Sequence, residues 1–228
     1  MTKAARMLCL VLVLGFSVST VFAQEFTTAQ VVAKLDEKAK VFTSLEASIS
    51  NALTSYDFKL PASSGKLFIK MMNSVPRYLW DVTAPKDKQM SSLIDKGEGT
   101  VYFRNSNTYV RRTVDPKTDV LQILLIGFGM PSATLNKNYT AAVKGRAAVG
   151  SVQAVVLELT SVSGLTSKFP KVTLWLDPQT WTPVQTRLTE KSGDYTDFTY
   201  SNVRLNKGIS DSVFRLNIPK DAQKQQGL

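Results

Sequence analysis

Between Val75 and Phe103 apolar residues recur with a period of two, and that spacing restricts the fold more than any other feature of the chain. Tyr78, Trp80 and Val82 alternate with Arg77, Leu79 and Asp81. An extended strand sorts such a pattern onto two faces, whereas a helix would scatter it around its circumference. Pro76 and Pro85 bracket the strand, Asp95-Lys96-Gly97-Glu98-Gly99 supplies a tight reversal, and Val101 and Phe103 resume the alternation. The expected product is a broad, curved antiparallel sheet.

The same period returns along most of the chain. A helix opens at Thr28, capped by Thr27 or Thr28, with Val32, Leu35, Ala39 and Phe42 at helical spacing. It runs directly into a strand in which Leu45, Ala47, Ile49, Asn51 and Leu53 share one face. Further strands are expected over Lys66 to Met72, Thr108 to Arg112, Tyr139 to Ala147, Val152 to Ser161, Lys171 to Leu176, Thr182 to Glu190 and Tyr195 to Leu205. Together they make about ten or eleven strands in two meanders. Between the meanders, Val120 to Pro131 is apolar almost all round: a short helix capped by Thr118 or Asp119 and ended by Gly127, Gly129 and Pro131. It is either a core helix or a lid. Near the C-terminus a short turn or helix is expected at Ser210 to Phe214, followed by a frayed polar tail from Lys220.

The first 23 residues have the form of a secretory signal peptide: Lys3 and Arg6, an apolar run from Met7 to Leu14, then small residues up to Ala23. Cleavage there leaves one domain, residues 24–228, carrying 26 basic and 18 acidic residues, and an exported location. The only cysteine, Cys9, lies in that leader, and the chain has no histidine. The commonest nucleophile–base pairs and zinc ligands are therefore missing. Asp81, Asp95, Glu98, Asp177 and Asp197 are the acids best placed on strands or their ends, but none has metal or glycosidase spacing. No catalytic residue, metal site or cofactor is expected. The basic balance, +10 over the whole chain, suits either attraction to anionic envelope surfaces or ordinary solubility. Nucleic acid is a poor partner, because the basic residues are scattered and the chain is exported.

Met71, Met72, Met90 and Met130 fall in the same half as Tyr78, Trp80, Phe103 and Phe128. Flexible thioethers beside aromatic rings suit a pocket for acyl chains, and equally a well-filled core.

Several stretches resemble a known family. These are Leu67-Phe68-Ile69-Lys70, a turn with Pro76, Tyr78-Leu79-Trp80, Pro85, and Leu93-Ile94-Asp95-x-Gly before an aromatic strand. Leu174-Trp175-Leu176-Asp177-Pro178 followed by Pro183-Val184-Gln185, and the ending Phe214 to Pro219, add to them. In order and content they resemble the LolA-like periplasmic carriers of outer-membrane lipoproteins. The resemblance implies a mainly β fold: an unclosed antiparallel β-barrel with an N-terminal helix and short helices forming a lid over an apolar concave face. It implies a monomeric carrier rather than an enzyme, taking acylated lipoprotein or lipid cargo from an inner-membrane donor complex to an outer-membrane acceptor. The ligand-binding residues it points to are Leu67, Ile69, Met71, Tyr78, Trp80, Phe103, Leu121, Leu124, Leu125, Phe128 and Met130. One departure stands out: the best-known carriers hold the lid with an Arg directly before the Pro that follows the second strand. Here that neighbourhood reads Lys70-Met71-Met72-Asn73-Ser74-Val75-Pro76, leaving Lys70 or Arg77 to substitute. A shuttle for another lipid or glycolipid, or an envelope-stress interaction domain, are the alternatives on the same fold.

Overall fold

The computed structural model describes residues 26–55, 58–73, 75–114, 123, 125–163 and 168–226. The expected leader, residues 1–23, lies outside them. Helix α1 (Thr28–Val41) begins with a capping box, in which Gln30 N donates to Thr27 Oγ1 at 3.3 Å and Thr27 N donates to Gln30 Oε1 at 2.8 Å. Its buried face runs through Val31 and Leu35 rather than Val32, which is only half-buried. Eleven strands follow: β1 (Ser44–Thr54), β2 (Ser63–Met72), β3 (Val75–Ala84), β4 (Met90–Asp95), β5 (Glu98–Phe103), β6 (Thr108–Thr113), β7 (Tyr139–Val149), β8 (Val152–Ser161), β9 (Lys171–Leu176), β10 (Pro183–Thr189) and β11 (Tyr195–Leu205). A twelfth, β12 (Gln223–Lys224), is two residues long.

They form one sheet in the order β12-β6-β5-β4-β3-β2-β1-β11-β10-β9-β8-β7, so the edges do not pair with each other and the barrel is unclosed. All pairings are antiparallel except β12 with β6. The expected mainly β fold is present. The hairpin at Asp95 to Glu98 places Lys96 and Gly97 at φ 51° and 80°, the left-handed pair that a two-residue reversal needs.

Three features differ from the sequence expectation. The tail is not free through its described part: Gln223 N and Gln225 N donate to Asn107 O and Tyr109 O, adding a parallel strand to the β6 edge. Pro131 starts a helix as well as ending a segment, because α2 (Ser132–Asn138) follows it. Most of the expected helix before it lies outside the described residues, and Leu125 to Met130 form turns.

The register settles which side chains share a face. Ile69 sits between Leu45 and Tyr78, and Leu67 sits between Ala47 and Trp80, all on the concave side. With Leu157, Leu174 and Leu176 from β8 and β9 they form the main core, closed over by Val31 and Leu35 of α1. The convex side of β2 to β4 carries a second cluster, in which Phe68, Leu79 and Leu93 meet Ile209 and Phe214 of the C-terminal segment. Lys70 and Arg77, the two candidates for holding a lid, point to this convex side. Lys70 Nζ donates to Ile209 O at 2.9 Å and to Asp211 Oδ1 at 2.8 Å; Arg77 Nη1 reaches Asp211 Oδ1 at 3.1 Å, and the guanidinium lies 4.6 Å from the Phe214 ring centre. They clamp the C-terminal segment instead, because alternate residues of a strand cannot share a face with Ile69 and Tyr78.

Two of these contacts can be tested by substitution. A Cβ on Gly65 would lie 1.8 Å from the Asp81 carbonyl oxygen on β3. Gly65→Ala is expected to lower stability by about 2 kcal/mol or more, read as a reduced denaturant midpoint at unchanged slope. Asp36 on α1 accepts from Ser132 N at 2.6 Å and Ser132 Oγ at 2.5 Å, tying α1 to α2. Those hydrogen bonds hold its carboxyl below the ordinary value of 3.8. Its contribution is therefore complete at neutral pH and lost as pH falls through the carboxylate range. The stability gap between the wild type and Asp36→Asn, measured by denaturation, is expected to close below about pH 4.

Candidate functional site

The concave face is filled along one half and open along the other. On the filled half, Leu125, Ile126, Phe128 and Met130 are buried. The turn that carries them is tight: Phe128 N, Gly129 N and Met130 N all converge on Leu125 O at 2.9–3.0 Å. Glycine is needed twice here. Gly127 adopts φ +83° with Pro183 Cγ where a Cβ would go, and a Cβ on Gly129 would enter the Phe42 ring. Phe128 packs edge-on against Tyr200 with ring centres 5.2 Å apart. Burial pushes the Tyr200 hydroxyl up to about 12 and raises that of Tyr78 further, so both phenols stay neutral among apolar neighbours.

The open half holds a cavity of about 590 Å3 on the concave side of β3 to β5. Its floor is Trp80, Val82, Met90 and Phe103, brought together because Val82 pairs with Met90 and Met90 with Phe103. The rim is polar, with Asn51 and Ser63 bonded to each other at 3.0 Å, Lys88, and Gln225 of the tail. Trp80 joins the cavity to the core. Its ring lies edge-on to Phe198 at 6.1 Å, and its Nε1 is buried without a hydrogen-bond partner among the described residues. A volume of this size with an aromatic floor and few charges can exclude water from an aliphatic chain. A somewhat larger hollow of about 660 Å3 lies elsewhere, at the β7 edge beside a bulge at Lys144 and Gly145. Its one aromatic, Phe26, is covered by the Arg146 guanidinium at 5.4 Å.

Of the residues expected to bind an apolar ligand, the structure brings Trp80 and Phe103 to the cavity wall. Leu67, Ile69, Tyr78, Leu125, Phe128 and Met130 are buried in the core, and Met71 packs against it. Leu121 and Leu124 lie outside the described residues. Val82 and Met90 complete the floor; neither is in the ligand-binding set above, although Met90 is one of the methionines noted beside the aromatic residues. The alternation that selects Tyr78 and Trp80 already puts Val82 on this face; Met90 needs the β3–β4 register.

The acids have structural partners. Asp81 pairs with Arg104 and accepts from Ser91 Oγ, Asp95 lies 2.9 Å from Arg77 Nε, and Glu98 lies 3.2 Å from Arg111. Asp177 accepts from Gln179 N at 2.9 Å to shape its turn. Asp197 forms a two-pronged pair with Arg187 at 2.7 and 2.8 Å. Among the described residues no group of three metal-ligating side chains comes together, and no helix is long and apolar enough to cross a membrane.

No protein-family model matches the chain, and no curated protein sequence does. Solved structures match in fold. An uncharacterized conserved protein from Thermus thermophilus superposes with a TM-score of 0.54 at 13% identity, over 87% of this chain and 99% of its own. MucB superposes with a TM-score of 0.52 at 12% identity, over 83% of this chain and 62% of its own. A LolA superfamily protein from Nitrosomonas europaea is also similar, at 14% identity over 85% and 99% of the two chains, with a TM-score of 0.44. At these identities the likeness is one of architecture. What the chain shares with the Thermus thermophilus protein and MucB is the fold alone.

The cavity predicts a spectroscopic result. Of the three tryptophans only Trp80 lines it. A brominated fatty acid is expected to quench part of the native tryptophan emission, and Trp80→Phe should abolish that part while leaving the thermal midpoint within a few degrees.

Proposed function

We propose that this protein is a periplasmic carrier that shields the acyl chains of lipoproteins between the inner and outer membranes. The observation that supports it best is the cavity floored by Trp80, Val82, Met90 and Phe103, open at one end of an unclosed sheet. The energetic need is simple. At about 0.8 kcal/mol per methylene, a long acyl chain left in water costs on the order of 10 kcal/mol. The apolar floor removes most of that cost, and Met90 adapts to chains of different shape because its thioether repacks easily.

In this reading an inner-membrane donor complex delivers the cargo to the cavity, and the part of the chain that does not fit displaces the Leu125 to Met130 turn. That turn lies on the same concave face and is the segment a lid would use. Release needs an outer-membrane acceptor offering an equal or better apolar site. The protein does no chemistry on its cargo, in keeping with the ion pairs of Asp81, Asp95, Glu98 and Asp197 and the turn bond of Asp177. The cleaved leader supplies the periplasmic address.

Native mass spectrometry of the protein purified from a periplasmic extract, with extraction and identification of what is bound, tests the proposal. Acylated peptide or lipoprotein is the expected finding. Free phospholipid or glycolipid would instead make the protein a lipid shuttle on the same fold. A clean unliganded mass together with failure to take up a fluorescent acyl probe would refute the carrier reading.

A further inference from the structure

Three loops converge at the end of the sheet where the cavity opens. The β1–β2 connection turns back through hydrogen bonds from Ser55 N to Phe58 O at 2.8 Å and from Leu60 N to Leu53 O at 3.0 Å. Lys88 Nζ, on the β3–β4 turn, donates to Pro61 O at 2.9 Å and so links that turn to the first loop. Asn105 Nδ2, on the β5–β6 turn, donates to Lys86 O at 2.6 Å and links the third. The three connections thus form one bonded platform around the mouth. Its large apolar side chains reach water: Phe58 is 53% exposed, Leu60 40% and, on the cavity wall just inside, Phe103 36%.

Exposed aromatic and leucine side chains on a loop tip are costly unless something covers them. Their neighbours indicate what does. Lys59 lies between Phe58 and Leu60, and Lys86 and Lys88 flank the opening, while Asp87 is the one acid in the described parts of the platform; Asp57 lies outside the described residues. Apolar side chains ringed by lysines fit a leaflet containing anionic phospholipid, with the rings in the acyl boundary and the ammonium groups at the phosphates. We propose that the mouth of the cavity is a membrane-docking surface. Phe58 and Leu60 insert into an anionic leaflet, Lys59 and Lys86 hold the headgroups, and the aromatic floor is set against the lipid so that an acyl chain crosses without passing through water. The docking rests on the exposed platform itself; only its purpose rests on the carrier reading.

The opposite end of the sheet provides a control. Met72 and Val75, 38% and 42% exposed, sit at the far end of β2 and β3, away from the rim. Co-sedimentation of the purified protein with vesicles of phosphatidylethanolamine and phosphatidylglycerol, and separately of phosphatidylcholine alone, tests the proposal. Wild type is expected to bind the anionic vesicles, with binding falling as salt is raised from about 50 to about 500 mM. The double variant Phe58→Ser/Leu60→Ser should bind roughly tenfold more weakly or worse. Lys59→Gln and Lys86→Gln should each lose roughly fivefold on anionic vesicles only, and Met72→Ser/Val75→Ser should bind as wild type. Circular dichroism confirms that each variant is folded.

Absence of wild-type binding, or a Phe58→Ser/Leu60→Ser protein that binds as wild type, overturns the docking surface. Uptake of a soluble acyl probe, measured in parallel, separates the two ideas. Probe uptake without vesicle binding leaves a carrier that does not dock. Vesicle binding without probe uptake leaves a docking surface and removes the carrier.

Discussion

The pairing of β1 with β11 holds the molecule together, because it is the seam between two meanders that would otherwise each expose an apolar face. It runs from Leu45 opposite Leu205 to Thr54 opposite Tyr195, with one bulge near Asn202 that bends the sheet. Asn206 finishes it, its side-chain oxygen accepting from Thr43 N at 2.8 Å and Ser44 N at 3.3 Å. These residues are more than 160 positions apart in the chain. Closing a loop of that length costs about 4.5 kcal/mol beyond a constant, since the cost grows only with the logarithm of length. Each fully buried Leu or Ile contributes about 1.5–3 kcal/mol. Leu45, Ile49, Phe198 and Tyr200, all buried along the seam, therefore more than offset the closure.

Once the seam is made, the curved sheet has more concave surface than its helices can cover. Helix α1 and the Leu125 to Met130 turn occupy the space in front of β1, β2 and β8 to β11, where the core is dense. In front of β3 to β5 no described helix intervenes, and the apolar floor is left lining a void. That half needs support from elsewhere, and it comes from behind. The C-terminal segment packs Ile209 and Phe214 onto Leu79, and Lys70, Arg77 and Asp211 pin it there. This explains why β2 and β3 carry apolar bulk on both faces: one faces the core and cavity, the other the returning chain.

Much of this was legible in the sequence, for an identifiable reason. A period of two over Leu45 to Leu53 or Tyr78 to Val82 fixes strand and face together, so the sheet and its concave residues could be read directly. What alternation cannot give is depth. Ile69 and Trp80 lie on the same face, yet Ile69 is sealed in the core and Trp80 reaches the cavity, because the difference depends on which neighbours α1 and the Phe128 turn cover. The roles of Lys70 and Arg77 were hidden similarly: their shared partner, Asp211, lies 141 and 134 positions away, on a segment with no periodic signal. The parallel pairing of Gln223 and Lys224 had no apolar pattern to announce it, since both side chains are exposed and the pairing runs through backbone bonds to Asn107 and Tyr109.

The split between a filled and an empty half bears on the proposed carriage. A cavity that had to be opened by unpacking a dense core would cost several kcal/mol at each loading event, since a single large-to-small core substitution already costs about 2–5 kcal/mol. In the proposed carrier the first methylenes of a chain would meet a floor that is already formed, so loading could begin without unpacking the core. Only a chain that outgrows that space would compete with Phe128 and Met130 for the rest of the concave face, where the burial of its own methylenes would offset the contacts it displaces. In the proposed release the order would reverse: the turn would repack first, leaving on the shallow floor only the smaller part of the chain's burial for an acceptor to overcome.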